Sequence, residues 1–272
     1  MGNMIHYGNG VAPEKVDLRD YKGVAKTNTF PDTFELTMMP VKNQGAVSSC
    51  VAHALASVIE YFDCVENGKF TAKSVLYIYG NRRYSDWKES GMRIRDALKT
   101  CCEYGDVEYR ELPGNYEVPD AIDRFEKVGT VLSLRGSVHG IKRYFRLDST
   151  KAIKECLMNC GPVLIAVPWY SDNYVYKDVL HITGNKAKEE GLHCMVVYGW
   201  EPRGWKVQNS WGLLWGNRGK AILPFDTKLS EAWGLEDRED TESIEIKKPF
   251  ASEFWQTVVK ILNRILNRLL RR

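Results

Sequence analysis

Apolar residues recur at intervals of three and four from residue 49 onward: Val51, Ala54, Leu55, Val58, Ile59 and Phe62. That period predicts a helix over 49–63 with one strongly apolar face and Ser48 or Ser49 as its N-cap. Further helices are predicted over 71–84, over 92–104 with Gly105 as a left-handed C-cap, and from Ser149 to Asn159. The texture then changes. Short segments rich in Val and Ile, separated by glycines, predict strands at 131–134, 141–147, 163–167, 194–200, 204–208 and 219–223. A helical half followed by a strand-rich half predicts an α+β fold.

Glycine and proline divide the rest of the chain. Gly8, Gly10, Pro13, Pro31 and Pro40 interrupt any period in residues 1–40, which read as an extended segment. The expected organisation is a helical part at 41–118, a β-rich part at 119–230, an acidic connector at 231–249 and a tail at 250–272. Glu231, Glu236, Asp237, Glu239, Asp240, Glu242 and Glu245 make the connector read as a solvated stretch. On a helix the tail places Trp255, Val258, Val259, Leu262, Ile265, Leu266, Leu269 and Leu270 along one stripe. Lys260, Arg264, Arg268 and Arg272 fall on another.

Composition narrows the function classes. The 272 residues are 44% hydrophobic and 27% charged, an ordinary globular balance, and the net charge of +3 is too small to predict a nucleic-acid partner. No apolar run approaches the roughly 20 residues needed to span a bilayer. The polar first ten residues do not form a secretory signal, and His6 stands where a myristoylation signal wants Ser or Thr. Seven cysteines are an odd number without a C-x-x-C pair, which argues against a disulfide framework and a zinc site. The expectations are a reducing, cytoplasmic setting, with virion association as the alternative, and neither metal nor cofactor.

Cys50 would begin the first predicted helix, where the positive end of the macrodipole favours thiolate. A nucleophilic thiolate needs an imidazole to exchange protons with, and a third group to orient that imidazole. His193, opening an apolar run, and Asn209, closing another, supply those residue types; Gln44 lies just upstream of the cysteine. His53, on the same helix as Cys50, reads as a packing residue.

The run Asn209-Ser210-Trp211-Gly212-Leu213-Leu214-Trp215-Gly216-Asn217-Arg218-Gly219 resembles the Asn-Ser-Trp-Gly-x-x-Trp-Gly-x-x-Gly block of the papain-like cysteine peptidases. The Gly191–Trp200 run around His193, the Asn43-Gln44-Gly45 run before Cys50, the Gly161-Pro162-Val163 strand start and the Val16–Asp20 segment fit the same family and order. The resemblance implies a papain-like fold, a helical subdomain and an antiparallel β-barrel-like subdomain with the active site in the cleft between them. It implies Cys50 as nucleophile, His193 as general acid and base, Asn209 as its orienter, and Gln44 with the Cys50 N–H as oxyanion hole. Trp211 would shield the His193–Asn209 pair, and Gly91, Ala166 and Leu192 would line the substrate site. Small apolar linings of this kind would accept an aliphatic or aromatic residue two before the scissile bond.

The departures are local. Val47-Ser48-Ser49-Cys50-Val51 stands where the family has Cys-Gly-Ser-Cys-Trp, so the upstream disulfide cysteine is missing. The residues before Pro40 leave no room for a long inhibitory propeptide. The overall look is that of bacterial or bacteriophage members. The expected activity is cysteine endopeptidase acting on protein or peptide. The alternatives are acyl transfer or deamidation by the same residues, or a non-catalytic binding protein. For the tail at 250–272 the expectations are self-association or packing on the enzyme, an anionic membrane surface, or a protein partner's groove.

Overall fold

The computed structural model describes residues 10–12, 29–81, 91–113 and 140–237. They belong to one compact unit, Met1–Arg238, and Glu239–Arg272 form a second. The tail, most of the acidic connector, the strand expected at 131–134 and the end of the helix expected to reach residue 84 lie outside the described residues.

The described elements are β1 (Phe34–Glu35), α1 (Cys50–Asn67), α2 (Val75–Gly80), α3 (Ile94–Tyr104), β2 (Ile141–Arg146), α4 (Thr150–Asn159), β3 (Val163–Tyr170), β4 (Tyr174–Tyr176), β5 (Val179–His181), β6 (Glu189–Glu201), β7 (Gly204–Gln208), β8 (Lys220–Leu223) and β9 (Glu231–Asp237). The nine strands form one sheet in the order β2-β9-β3-β6-β7-β8-β5-β4, with β1 added to β6. The pairings are antiparallel except β5 with β8. Helices in the first part and a mostly antiparallel sheet in the second make an α+β fold.

Strand β6 divides the core. Side chains alternate across a strand, and Cys194 and Val196 join one apolar cluster with α1 and α3, while Met195 and Val197 join another with α4, β7 and β8. Helix α1 is sandwiched against the first face, and every residue from Cys50 to Glu60 is buried. It ends at Gly68, whose φ of +65° turns the chain in the left-handed region that favours glycine.

A buried polar group must find a partner, and Glu60 finds two: Lys42 Nζ at 2.6 Å and the Lys73 N–H at 2.8 Å. The Lys73 ammonium pairs in turn with Asp63 at 2.6 Å and Asp106 at 2.8 Å. Burial pulls the Lys73 ammonium toward neutrality, but Asp106 and Asp63 overcome it and hold it above the usual lysine range. This network also shortens the second helix. Lys73 pairs with Glu108 as a β-bridge, so helix begins only at Val75, where Ser74 Oγ caps it by accepting the Tyr77 N–H at 3.1 Å.

Two expectations require correction. Residues 231–237, read as the start of a solvated acidic connector, form β9 inside the sheet between β2 and β3. Ala232, Trp233 and Leu235 are buried there, and the Glu231 carboxylate accepts the Trp233 indole N–H at 2.8 Å. Residues 1–40 are not all unpaired extended chain, because Phe34–Glu35 add a strand to β6.

Candidate active site

Cys50 is the first residue of α1 and is fully buried, as the predicted helix start requires. Ser49 holds the N-cap position, but its hydroxyl pairs with His53 Nδ1 at 3.1 Å instead of capping the helix. His53 is buried within α1, in agreement with its reading as a packing residue. Gln44 is brought beside the third motif: its N–H donates to the Ser210 carbonyl at 2.8 Å, and its Oε1 accepts from Ser210 Oγ at 2.6 Å. Its Nε2 donates to the Val47 carbonyl at 2.8 Å. The side-chain amide is therefore oriented with oxygen toward Ser210 and nitrogen toward the turn that precedes Cys50.

His193 enters from β6, opposite Val167 of β3. Asn209 follows the end of β7, and its Oδ1 lies 2.8 Å from His193 Nε2. The same oxygen accepts the Ser210 N–H at 2.7 Å. A backbone N–H can only donate, so the atom it meets is the amide oxygen, and His193 Nε2 must be the donor to it. The neutral imidazole thus carries its proton on Nε2, and Nδ1 is the basic nitrogen. Nδ1 is buried without a hydrogen-bond partner.

Two indoles pack against the His193 ring. Trp211 packs on the His193 ring at 4.5 Å between centroids, Trp169 meets it edge-on at 5.1 Å, and the two tryptophans lie 4.7 Å apart. Trp211 was legible from its motif. Trp169 was not, although β-alternation from Val167, the residue paired with His193, would have found it. Ser210 was also missed, despite lying between Asn209 and Trp211 in the quoted run.

The expected substrate residues separate. Leu192 and Gly91 meet across residues 10–12, where Leu192 O accepts the Val11 N–H at 3.2 Å and Met92 N–H donates to Gly10 O at 2.8 Å. Ala166 is fully buried in β3, paired with Cys194 and Glu231, and faces the α1 side of the sheet.

Burial acts on both candidate acid–base groups. Burial pushes the Cys50 thiol up to about 11, against backbone hydrogen bonds from Cys194 and Gly10 that pull it down. Burial likewise lowers His193 to about 4, with Asn209 opposing. Desolvation thus works against the thiolate that the helix dipole favours, and against the imidazolium. All seven cysteines are free, and among the described residues no group of three or more His, Cys, Asp or Glu is arranged to hold a metal ion.

The model of the papain family cysteine protease matches residues 12–224, which contain Gln44, Cys50, His193 and Asn209. Among relatives, the chain is 24% identical over 225 residues to an uncharacterized peptidase C1-like protein of Acanthamoeba polyphaga mimivirus, covering 73% of this chain and 70% of that one. It is also 24% identical over 253 residues to cathepsin B-like cysteine proteinase 4 of Caenorhabditis elegans, covering 77% and 75%. Among solved structures it is similar to xylellain, a cysteine protease from Xylella fastidiosa, with a TM-score of 0.71 and 23% identity over 88% of this chain and 99% of that one. The chain belongs to the papain family of cysteine proteases.

Proposed function

We propose that the protein is a cysteine endopeptidase in which Cys50 is the nucleophile, His193 the general acid and base, and Asn209 the residue that orients His193. The observation that carries this reading is the assigned tautomer. With the proton on Nε2 held by Asn209 Oδ1, Nδ1 is left as a base. Nδ1 takes the Cys50 thiol proton as Sγ bonds to the substrate carbonyl carbon. The carbonyl oxygen becomes an oxyanion and accepts from Gln44 Nε2 and the Cys50 N–H, donors fixed before the reaction begins. His193 then gives its proton to the departing amine, which leaves a thioester on Cys50. Water, deprotonated by Nδ1, attacks that thioester, releases the acid and restores the thiol. The enclosing Trp169 and Trp211 keep bulk water from the His193–Asn209 bond, where it would compete for Asn209 Oδ1.

Gly91 and Leu192 are assigned to the substrate walls on the strength of the backbone segment held between them, and Ala166 to the apolar floor on that side. An aliphatic or aromatic side chain two residues before the scissile bond suits this lining. The tail at 250–272 is assigned a docking role separate from chemistry, on the strength of its apolar and basic stripes. Hydrolysis by a chain ending at residue 248 should match the full chain, and loss of hydrolysis in that folded truncation contradicts the division.

Incubation of an unstructured protein with wild type and with Cys50→Ala, followed by mass spectrometry, tests the main reading. Fragments from wild type alone are expected. Mass changes without fragments would instead assign acyl transfer or deamidation, and no covalent change would assign a binding role.

A further inference from the structure

A cavity of about 10 Å³ lies between α1 and the sheet. His53, Ala54 and Ser57 line it from the helix, and Gln208, Asn209 and Ser210 from the end of β7 and the residues that follow. All six are buried, so the space is cut off from bulk solvent. Its size is about what a single water needs, provided that polar groups meet there to hold one.

The partners of each side chain assign the atoms that remain. Asn209 Oδ1 is engaged by His193 Nε2 and by the Ser210 N–H, so the other end of that amide is the donor Nδ2. Gln208 Nε2 donates to the Met39 carbonyl at 3.3 Å, which leaves Oε1 as an acceptor. Asn209 Nδ2 and Gln208 Oε1 are both buried without a hydrogen-bond partner among the described residues. His53 Nδ1 lies 3.0 Å from the Ser49 carbonyl, which can only accept, so the ring proton is on Nδ1 and Nε2 carries the lone pair. Burial lowers His53 to about 3, and that lone pair therefore persists at neutral pH. The nearby hydroxyl protons are spent elsewhere, Ser57 Oγ on the His53 carbonyl at 3.0 Å and Ser210 Oγ on Gln44 Oε1 at 2.6 Å.

One donor and two acceptors are the complement of one water, which accepts once and donates twice. We propose that the cavity is the binding site of a single structural water, which accepts from Asn209 Nδ2 and donates to Gln208 Oε1 and His53 Nε2, and that His53 is through it a positioning residue for Asn209. His193 and Ser210 hold the oxygen end of the Asn209 amide, and the water holds its nitrogen end. The amide is then gripped at both ends, and its oxygen stays on His193 Nε2 throughout the proton transfers. His53, a packing residue by its place on α1, gains a role that needs a ring nitrogen with a lone pair, which an apolar side chain of similar size does not supply. The proposal rests on Asn209 being the residue that orients a catalytic His193.

A crystal structure of the full chain, at a resolution that orders water, tests the site without any variant. One density peak is expected, within about 2.6–3.2 Å of Asn209 Nδ2, Gln208 Oε1 and His53 Nε2. A dry cavity, or a direct bond between Gln208 and Asn209, overturns the site. Steady-state hydrolysis of a short fluorogenic peptide tests the positioning role in variants that thermal unfolding shows to be folded. His53→Leu should lower kcat about threefold to tenfold with KM nearly unchanged, the worth of one hydrogen bond. His53→Gln, whose amide reaches about as far as Nε2, should restore it. In an Asn209→Ala background His53→Leu should cost nothing further, because the group it acts through is gone. An unchanged kcat, a loss that His53→Gln shares, or the same loss in both backgrounds overturns the positioning role. The water in place with no hydrolysis by wild type keeps the site and overturns the peptidase reading.

Discussion

Asn209 Oδ1 stands 2.8 Å from His193 Nε2 and accepts the Ser210 N–H at 2.7 Å, so one amide oxygen both fixes its own orientation and decides where the histidine proton sits. The burial of both residues, with Trp169 and Trp211 against the His193 ring, strengthens that arrangement, because a hydrogen bond shielded from water has no solvent competitor. Orientation is nevertheless a supporting role. Asn209→Ala should keep the fold and lower kcat by about tenfold to a hundredfold, the worth of one buried hydrogen bond of about 1–3 kcal/mol. Cys50→Ala and His193→Ala should lower it much further. Steady-state kinetics of the three variants on one peptide checks this, and equal losses in all three would remove Asn209 from its positioning role.

Ser210 acts on the other half of the site. Its hydroxyl holds Gln44 Oε1 at 2.6 Å, which leaves Nε2 as the atom turned toward the Cys50 turn. Ser210→Ala frees the amide to rotate, and kcat should fall about tenfold with KM nearly unchanged. Gln44→Ala removes the donor outright and should cost about a hundredfold to a thousandfold. If Ser210→Ala raises KM and leaves kcat intact, the hydroxyl serves binding and not the oxyanion.

Two buried histidines among the described residues link stability to acid. Burial lowers His193 to about 4 and His53 to about 3, below the ordinary histidine value of 6.5. Below pH 6.5 the unfolded chain takes up protons that the folded chain refuses, so folding loses stability as pH falls. Their contribution is fully present above pH 6.5 and declines toward pH 4 and 3, by an amount on the order of a few kcal/mol. Urea midpoints measured from pH 7.5 to 4.5 should fall for wild type. A flat profile in that range would show that the two rings are solvated.

Much of this was legible in the chain because the governing patterns are local. The three-and-four spacing from Val51 to Phe62 reports the buried face of α1, and the apolar run after His193 reports a strand covered on both sides. The candidate catalytic residues followed from the motifs that carry them. What was not legible depends on partners far away in sequence. β9 was hidden by its acids, since nothing before folding announces that Glu231 finds the Trp233 indole and that Trp233 lies between β2 and β3. The second helix was overextended because Lys73 gives its N–H to Glu60 and pairs with Glu108. The desolvation of Cys50 was not legible for a similar reason. A helix N-terminus favours the anion, whereas burial by residues distant in the chain pushes the Cys50 thiol up.

The account stands most directly on which of seven thiols reacts. A peptide carrying an electrophilic epoxide or vinyl sulfone at the scissile position, incubated with the full chain and with Cys50→Ala, is read by intact mass and then by peptide mapping. One equivalent should attach, on Cys50 alone, and none in Cys50→Ala. An adduct spread over several cysteines, or placed on another cysteine with Cys50 unmodified, would contradict the assignment of Cys50 as the nucleophile.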